Sequence, residues 1–399
     1  MVKIEEFAVE RWMDDYENDA KHNLAETCCA SISLNDLQAF SGQETNLIDY
    51  SQKQIYGAIR GSIPLRSNIA RLYSSGSSEP LTADNVLVTN GAIQANFLAL
   101  YTNVGPGDHV ICHYPTYQQL YSIPESFGAE VTLWKAVAEN GWQLDVTQLE
   151  SMIKPNTKLI ILNNPQNPTG AVLTRETLQA IIDVAREHDL IVHCDEVYRP
   201  LFHSLKNPEQ GNPPSILDFG YEKAISTGSM SKAFSLAGIR LGWIVSRSSA
   251  IIEAIASVRH YTLISVGQLD DRVATQALAS PTVEKLLERN CKLAKQNLDD
   301  LEAFVDEFKE SVSWTRPQAG TTAFVKFTKG GRPVNDLALC KLLLEKYGLM
   351  FVPGSQCFGG GDDFKGYVRV GYVPEREVLV EGLEVLRKFM REEYQNAQL

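Results

Sequence analysis

Lys232 stands in the run GSMSKAFSLAGIRLGW, with Ser229 shortly before it and Arg240 after it. A lysine amine condenses with an aldehyde to form a Schiff base, and a serine with an arginine takes up a dianion. Four other segments carry matching chemistry. DEVY offers Asp195, a carboxylate able to keep a ring nitrogen protonated, and Tyr198, a hydroxyl donor. NNPQNPTG, residues 163–170, holds the amide of Asn167 on a turn stiffened by two prolines and closed by a glycine. NGAIQAN places Gly91, Ala92 and Ile93 where a helix opens, and the free amides of a helix N-terminus bind phosphate. Tyr117 in YPTYQQL supplies an aromatic to lie against a flat ring. Singly, these are a turn, a helix cap, a solvated charge and helix punctuation. Jointly, they are what a ligand with an aldehyde, a ring nitrogen, a phenolic oxygen and a phosphate requires. That set describes pyridoxal 5′-phosphate as cofactor.

Most of these segments directly follow short β-rich runs, at Val86–Thr89, Val110–His113, Glu130–Trp134, Lys158–Leu162, Leu190–Cys194, Ala224–Thr227 and Leu241–Ser246. Helical stretches such as Ala92–Tyr101 and Thr174–His188 separate most of them. Apolar strands alternating with helices predict an α/β fold with a mainly parallel seven-stranded sheet covered on both faces. Ligands in such sheets sit at the carboxyl ends of the strands, which is where the residues above fall.

After Pro281 the texture changes. Val283–Lys309 reads as a long charged amphipathic helix, followed by strands near Thr322–Phe327 and Tyr367–Gly371. Val378, Leu379, Gly382, Leu383, Leu386, Phe389 and Met390 then fall at helical spacing within Glu375–Tyr394. The expected division is an N-terminal arm over 1–48 with a helix around Val9–Glu17, a large cofactor-binding domain over 49–282, and a smaller α+β domain over 283–399 with which the arm packs.

The 399 residues carry 37 Lys and Arg against 49 Asp and Glu, a formal net charge of −12. An acidic chain is no general nucleic-acid binder, and no apolar run approaches the length needed to span a bilayer. The charged start, MVKIEEFAVERWMDDYE, resembles neither a signal nor a transit peptide, and seven cysteines without a C-x-x-C pair make no disulfide framework. A cytoplasmic location is expected. His109 and His113 share a strand, about 13 Å apart along it, too far for one metal; no metal is expected.

S-x-S-K with the later G-x-R-x-G, preceded by N-P-T-G and D-E-x-Y, resembles the class I/II aminotransferases of the aspartate aminotransferase fold (fold type I). The resemblance covers nearly the whole chain. It implies transfer of an amino group between an amino acid and a 2-oxo acid, with Lys232 as Schiff-base lysine and proton shuttle. It further implies a homodimer with a shared site, in which a tyrosine of the neighbouring subunit reaches the cofactor phosphate. YGAIRGSIPLR resembles that segment, which points to Tyr56. An arginine after a strand of the small lobe binds the substrate α-carboxylate in that family, and YVRVGY places Arg369 there; a surface ion pair is the other reading of Arg369.

One segment departs from the pattern. Family members carry a glycine-rich run in the N-terminal arm, whereas this chain reads HNLAETCCASISL over 22–34. Its N-L-A-E resembles the L-A-E-N of 1-aminocyclopropane-1-carboxylate synthases, where a glutamate faces the substrate, and the run is similar to that of capreomycidine-synthase-like enzymes. Glu26 is therefore a candidate substrate residue, with a helix cap or loop charge as the alternative. The departure opens a second reading, a lyase or cyclase using the same cofactor for elimination, replacement or carbon–carbon bond formation. Phe351, Phe358, Tyr16 and Tyr121 line an apolar pocket or belong to the core.

Overall fold

A computed structural model describes residues 4–42, 47–74, 79–360 and 362–399. Residues 1–3 and 43–46 of the expected arm lie outside the described residues.

The seven expected strands all form: β1 (Val86–Thr89), β2 (His109–Tyr114), β3 (Glu130–Lys135), β4 (Thr157–Asn163), β5 (Ile191–Asp195), β6 (Ala224–Ser229) and β7 (Gly242–Ser246). They make one seven-stranded sheet in the order β1-β7-β6-β5-β4-β2-β3. Strand β7 runs antiparallel to both its neighbours, and all other pairings are parallel.

The period of two along each strand sends alternate side chains to opposite faces. Leu87, Ile225 and Ile244 pack with Ala95 and Leu98 of the helix Gly91–Asn103, here α2, and with Ile252. Val86, Val88, Ala224 and Val245 face the other way, into a core shared with Leu178, Ile181 and Ile182 of α3 (Arg175–Glu187). Burial on both faces explains why these strands are apolar throughout rather than alternating with polar residues. The structure thus has the mixed α/β fold with a mainly parallel sheet that the sequence predicts.

A second, antiparallel sheet of five strands is centred on β9 (Thr322–Lys329), which pairs with β11 (Tyr367–Gly371) on one side and with β8 (Val312–Trp314) on the other. Val352–Pro353, β10, pairs with β11 beyond. The long helix α4 (Thr282–Glu307) packs on the final helix α5 (Arg376–Glu392), whose buried face is Leu379, Gly382, Leu383, Leu386, Phe389 and Met390. Among the described residues, no helix is long and apolar enough to cross a membrane.

The N-terminal arm begins with α1 (Ala8–Tyr16) and then joins this second sheet region. His22–Asn23 pairs in parallel with Leu349–Met350. Beyond it, the Leu24 amide donates to the Met350 carbonyl at 3.1 Å, and the Gly371 amide donates to the Leu24 carbonyl at 2.7 Å. Gly371 has no room for a side chain, because a Cβ there would run into the carbonyl oxygen of Glu26. The arm is thus bolted onto the end of β11, two residues beyond Arg369. Gly371→Ala must push the arm away, an overpacking that costs about 1–3 kcal/mol. We expect thermal unfolding to show a melting temperature lowered by several degrees; an unchanged value would remove the bolt from the account.

Candidate active site

The carboxyl ends of the strands open onto a cavity of about 620 Å³ whose wall includes Ala92, Ile93, Tyr117, Asn167, Asp195, Tyr198, Ser229, Lys232 and Arg240 from the sheet side. Glu26 and Arg369 line it from the arm and β11. Gly91 sits directly behind, opening α2 with φ +78°, and a Cβ on it would come within 2.8 Å of Arg240 Nη2. Of the residues assigned to the cofactor or the substrate from the sequence, Tyr56 stands apart. It is 79% exposed and does not line the cavity of its own chain.

Asp195 ends β5 and is buried. Its Oδ2 accepts from Asn96 Nδ2 at 2.9 Å, and its Oδ1 from the Val197 amide at 3.1 Å. Thr227 Oγ1 donates to Asn96 Oδ1 at 2.6 Å, which fixes the amide so that its NH₂ faces Asp195. The Asn163 side chain braces the neighbouring turn: it donates to the Asp195 carbonyl at 3.1 Å and accepts from the Asn167 amide at 2.7 Å. Burial pushes the Asp195 carboxyl up to about 6, against the pull of the Asn96 bond.

Lys232 follows β6. Its Nζ donates to Thr27 Oγ1 at 2.6 Å, and Cys28 Sγ lies 3.5 Å away. Burial works against its charge, but Cys28, Tyr198 and Glu26 outweigh that effect, and the ammonium pKa sits above its ordinary value. Glu26 Oε1 lies 3.8 Å from Lys232 Nζ. The same oxygen accepts from the amides of Thr27 at 2.5 Å and Cys28 at 2.9 Å. Partial desolvation raises the Glu26 pKa, but Lys232 and those amides overcome it and hold the carboxyl at about 2. Glu26 therefore both ties its own loop and faces the lysine.

Arg240 has φ +47°, a left-handed backbone rare for a side chain of its size, and this turns its guanidinium back toward the start of α2. Its Nη1 donates to the Ala237 carbonyl at 2.9 Å, and Ser231 Oγ lies 3.5 Å away. Arg369 is buried, contrary to the surface ion-pair reading. Its Nη2 donates to the Ala25 carbonyl at 2.9 Å and its guanidinium lies over the Phe358 ring. Its Nε is buried with no partner, and so is Asn167 Oδ1.

Several lining residues escaped the sequence. Asn96 lies in the quoted run NGAIQAN, one turn into α2, and nothing in that run marks it before the helix is laid beside Asp195. Thr27, Cys28 and Ser231 adjoin Glu26 and Lys232 and gain their place only from tertiary contact. Phe7, Val9, Glu10, Met13 and Glu17 form a wall with no sequence motif; Tyr117 Oη donates to Glu10 Oε1 at 2.7 Å. Phe351, Phe358, Tyr16 and Tyr121 are core or packed against it and do not line the cavity. His109 bonds Thr157 and Thr132 through its two ring nitrogens, and His113 bonds Gln166.

The family profile described as "Aminotransferase class I and II" matches residues 34–386. The chain belongs to the class I and II aminotransferases. A solved PLP-dependent aminotransferase from Streptococcus suis is 40% identical, with a TM-score of 0.87 over 98% of each chain. Capreomycidine synthase of Streptomyces vinaceus is 27% identical over 95% of this chain and 92% of its own. The aspartate aminotransferase of Thermotoga maritima is 28% identical over 83% and 82%. As an aminotransferase of this class, the protein is an enzyme that uses pyridoxal 5′-phosphate and acts on amino acids and 2-oxo acids.

The residues present fit that cofactor. Asn167 lines the cavity with an amide whose buried Oδ1 no described residue holds, so its NH₂ can be turned to a ligand acceptor, and the Gly91–Arg240 cradle is open only because glycine has no Cβ. A buried carboxylate, a lysine and an arginine supply the required donor and acceptor set.

The Asp195 shift has a measurable consequence in the cofactor-free protein. Because its folded pKa, about 6, exceeds the ordinary 3.8, the folded state binds the extra proton and loses stability as pH rises between those values. Asp195→Asn removes that loss. Urea unfolding across pH 4–7 should show the variant gaining on the parent by on the order of 3 kcal/mol. A pH-independent difference between the two would contradict the buried-carboxylate account.

Proposed function

We propose that the protein transfers amino groups between an amino acid and a 2-oxo acid through Lys232. The observation that carries this reading is the convergence of Lys232, Asp195, Asn167, Tyr198 and Arg240 on one cavity, with Arg369 on its far wall. When bound, pyridoxal phosphate supplies an aldehyde that condenses with amines and a protonated ring that takes up electrons released at the substrate Cα. Asp195 keeps the proton on the ring nitrogen, and the Asn96–Thr227 chain keeps Asp195 in place. Asn167 through its NH₂ and Tyr198 through its hydroxyl would donate to the phenolic oxygen. Ser229, Arg240 and the amides at Gly91, Ala92 and Ile93 would hold the phosphate, and Tyr117 would supply the aromatic face for the ring. Arg369 fixes the substrate α-carboxylate through the nitrogen that now lacks a partner. Lys232 Nζ would be the base that carries the Cα proton of the substrate.

The same reading treats the active unit as a homodimer. Tyr50, Ile55, Tyr56, Ile59 and Ile63 are exposed, as are Tyr261, Ile264 and Leu269, an apolar surface that supports burial against a second copy. Tyr56 of the partner subunit would then reach the phosphate. A cytoplasmic location accords with seven unpaired cysteines. We also take 1–48 and 283–399 as parts of one small domain around the large domain 49–282; the pairing of His22–Asn23 with Leu349–Met350 supports this.

A second reading, a lyase or cyclase, is favoured by Glu26 beside Lys232 and by the similarity to capreomycidine synthase. Single-turnover spectroscopy without a 2-oxo acid separates the two. Accumulation of the amine form of the cofactor supports transamination; release of product with the aldehyde form restored supports the lyase. Lys232→Ala should lower turnover by more than about 10²–10⁴-fold in either case, while cofactor still binds through the phosphate site. Retained activity would exclude Lys232 from the chemistry. Light scattering should give twice the 44.4 kDa chain mass, and Tyr56→Phe should weaken cofactor retention on dialysis. A monomer with full activity would overturn the shared-site reading.

A further inference from the structure

We infer that the amino-acid substrate carries a cationic group at the end of an unbranched side chain. The inference rests on the proposed function, since it assigns what is left of the cavity once that reading has used its part. Three cations line the cavity, Lys232, Arg240 and Arg369, and the aldehyde, the phosphate and the α-carboxylate take one each. Asp195 takes the ring nitrogen. Glu10, Glu17 and Glu26 also line the cavity, and among its described lining residues no further Lys, Arg or His faces them. A substrate with a distal carboxylate would meet three like charges in this chain's wall.

The form of the wall adds the shape of the side chain. Glu10, Met13 and Glu17 recur at helical spacing along α1 and the turn that follows, on one face. Phe7 and Val9 line the same side. Apolar surface ending in carboxylates suits a methylene stem that ends in an ammonium or guanidinium. Glu10 is held by the Tyr117 hydroxyl at 2.7 Å, and Phe7 packs on the Tyr117 ring with centroids 4.7 Å apart. The acidic wall is therefore fastened to the residue assigned to the cofactor ring. The independent sign that a ligand enters is Arg369, 3% exposed, lining this cavity with its Nε unpartnered. It receives the α-carboxylate and sends the side chain toward the remaining wall.

The test uses the holoenzyme and the α-methyl derivatives of lysine, norleucine and glutamate, which have no Cα hydrogen to lose. Dissociation constants are read from the shift of the cofactor's visible absorption. The lysine derivative should bind roughly 3–10-fold tighter than the norleucine derivative at low salt, and the gap should shrink at high salt. Glu17→Gln leaves the Glu10–Tyr117 bond intact and should narrow the gap. Glu10→Gln with Glu17→Gln should bring it within about twofold, with norleucine binding nearly unmoved. Equal or tighter binding of the norleucine or glutamate derivative overturns the inference, and so does a lysine preference that survives the double substitution. A protein without a visible cofactor band fails at the underlying reading instead, a result distinct from either.

Discussion

The carboxylate of Asp195, taken out of water at the end of a central strand, is the constraint around which the site is organised. A buried charge is costly, and a carboxyl in such surroundings holds its proton more tightly unless a cation lies beside it. Here the donors Asn96 and Val197 recover part of that cost, and none of the cations lining the cavity makes an ion pair with it. The group is prepared for a protonated ring nitrogen. Its position is secured by the sheet: Asp195 stands opposite Asn163 on one neighbouring strand and Thr227 on the other. Each neighbour reaches back to it, Asn163 through the main chain and Thr227 through Asn96. One parallel register thus places the turn that carries Asn167 and the strand that leads to Ser229 and Lys232.

The opposite wall is built by a different device. The arm has few strand bonds of its own, and its position comes from β11 and the chain around Gly348–Met350. Glycine at 371 admits the backbone of Glu26, and Arg369 holds the Ala25 carbonyl. The loop of Glu26, Thr27 and Cys28 is thereby brought to Lys232. In its proposed role, Arg369 would meet a substrate carboxylate with a guanidinium already bonded to that loop, which would connect binding to the lysine's surroundings. This is a reason for the arm to belong with the second sheet although hundreds of residues separate them in sequence.

How much of this the sequence reveals follows from the kind of interaction. Strands β1 to β7 were legible because two-sided burial leaves unbroken apolar runs, and the cavity residues Tyr117, Asn167, Asp195, Tyr198 and Lys232 because each ends or follows such a run within a few positions. The boundaries moved at the cavity: β6 continues through Ser229, since that serine still pairs with Gly242, and β5 includes Asp195. Glu26 was legible only through a resemblance, and its backbone-capped geometry could not be read from N-L-A-E. Asn96 shows a different limit. A helix-face asparagine is ordinary until the facing strand supplies an acid, and that pairing spans 99 residues. The wall of Phe7, Glu10, Met13 and Glu17 had no legible signal, since it acquires meaning only when α1 is laid across the cavity.

That last wall also resolves an apparent tension in charge. The chain is acidic by 12 units, yet its site must attract a phosphate and a carboxylate. Separation within the cavity reconciles the two. The cations Arg240 and Lys232 come from the segment between β6 and β7 and Arg369 from β11, so on the proposed reading the anionic ends of the ligands would meet groups anchored to the two sheets. The surplus carboxylates Glu10 and Glu17 come from α1, an element outside both sheets. On the reading proposed here, the residues that serve every amino acid are tied to the sheets, and the choice among amino acids falls to the exposed face of a helix outside them. Among the described residues, Glu17 has no bond to those around Asp195 or Arg369, whereas Glu10 is tied to Tyr117, so on the same reading Glu17 is the position at which the field at the substrate side chain is free to vary with the least effect on the cofactor side of the cavity.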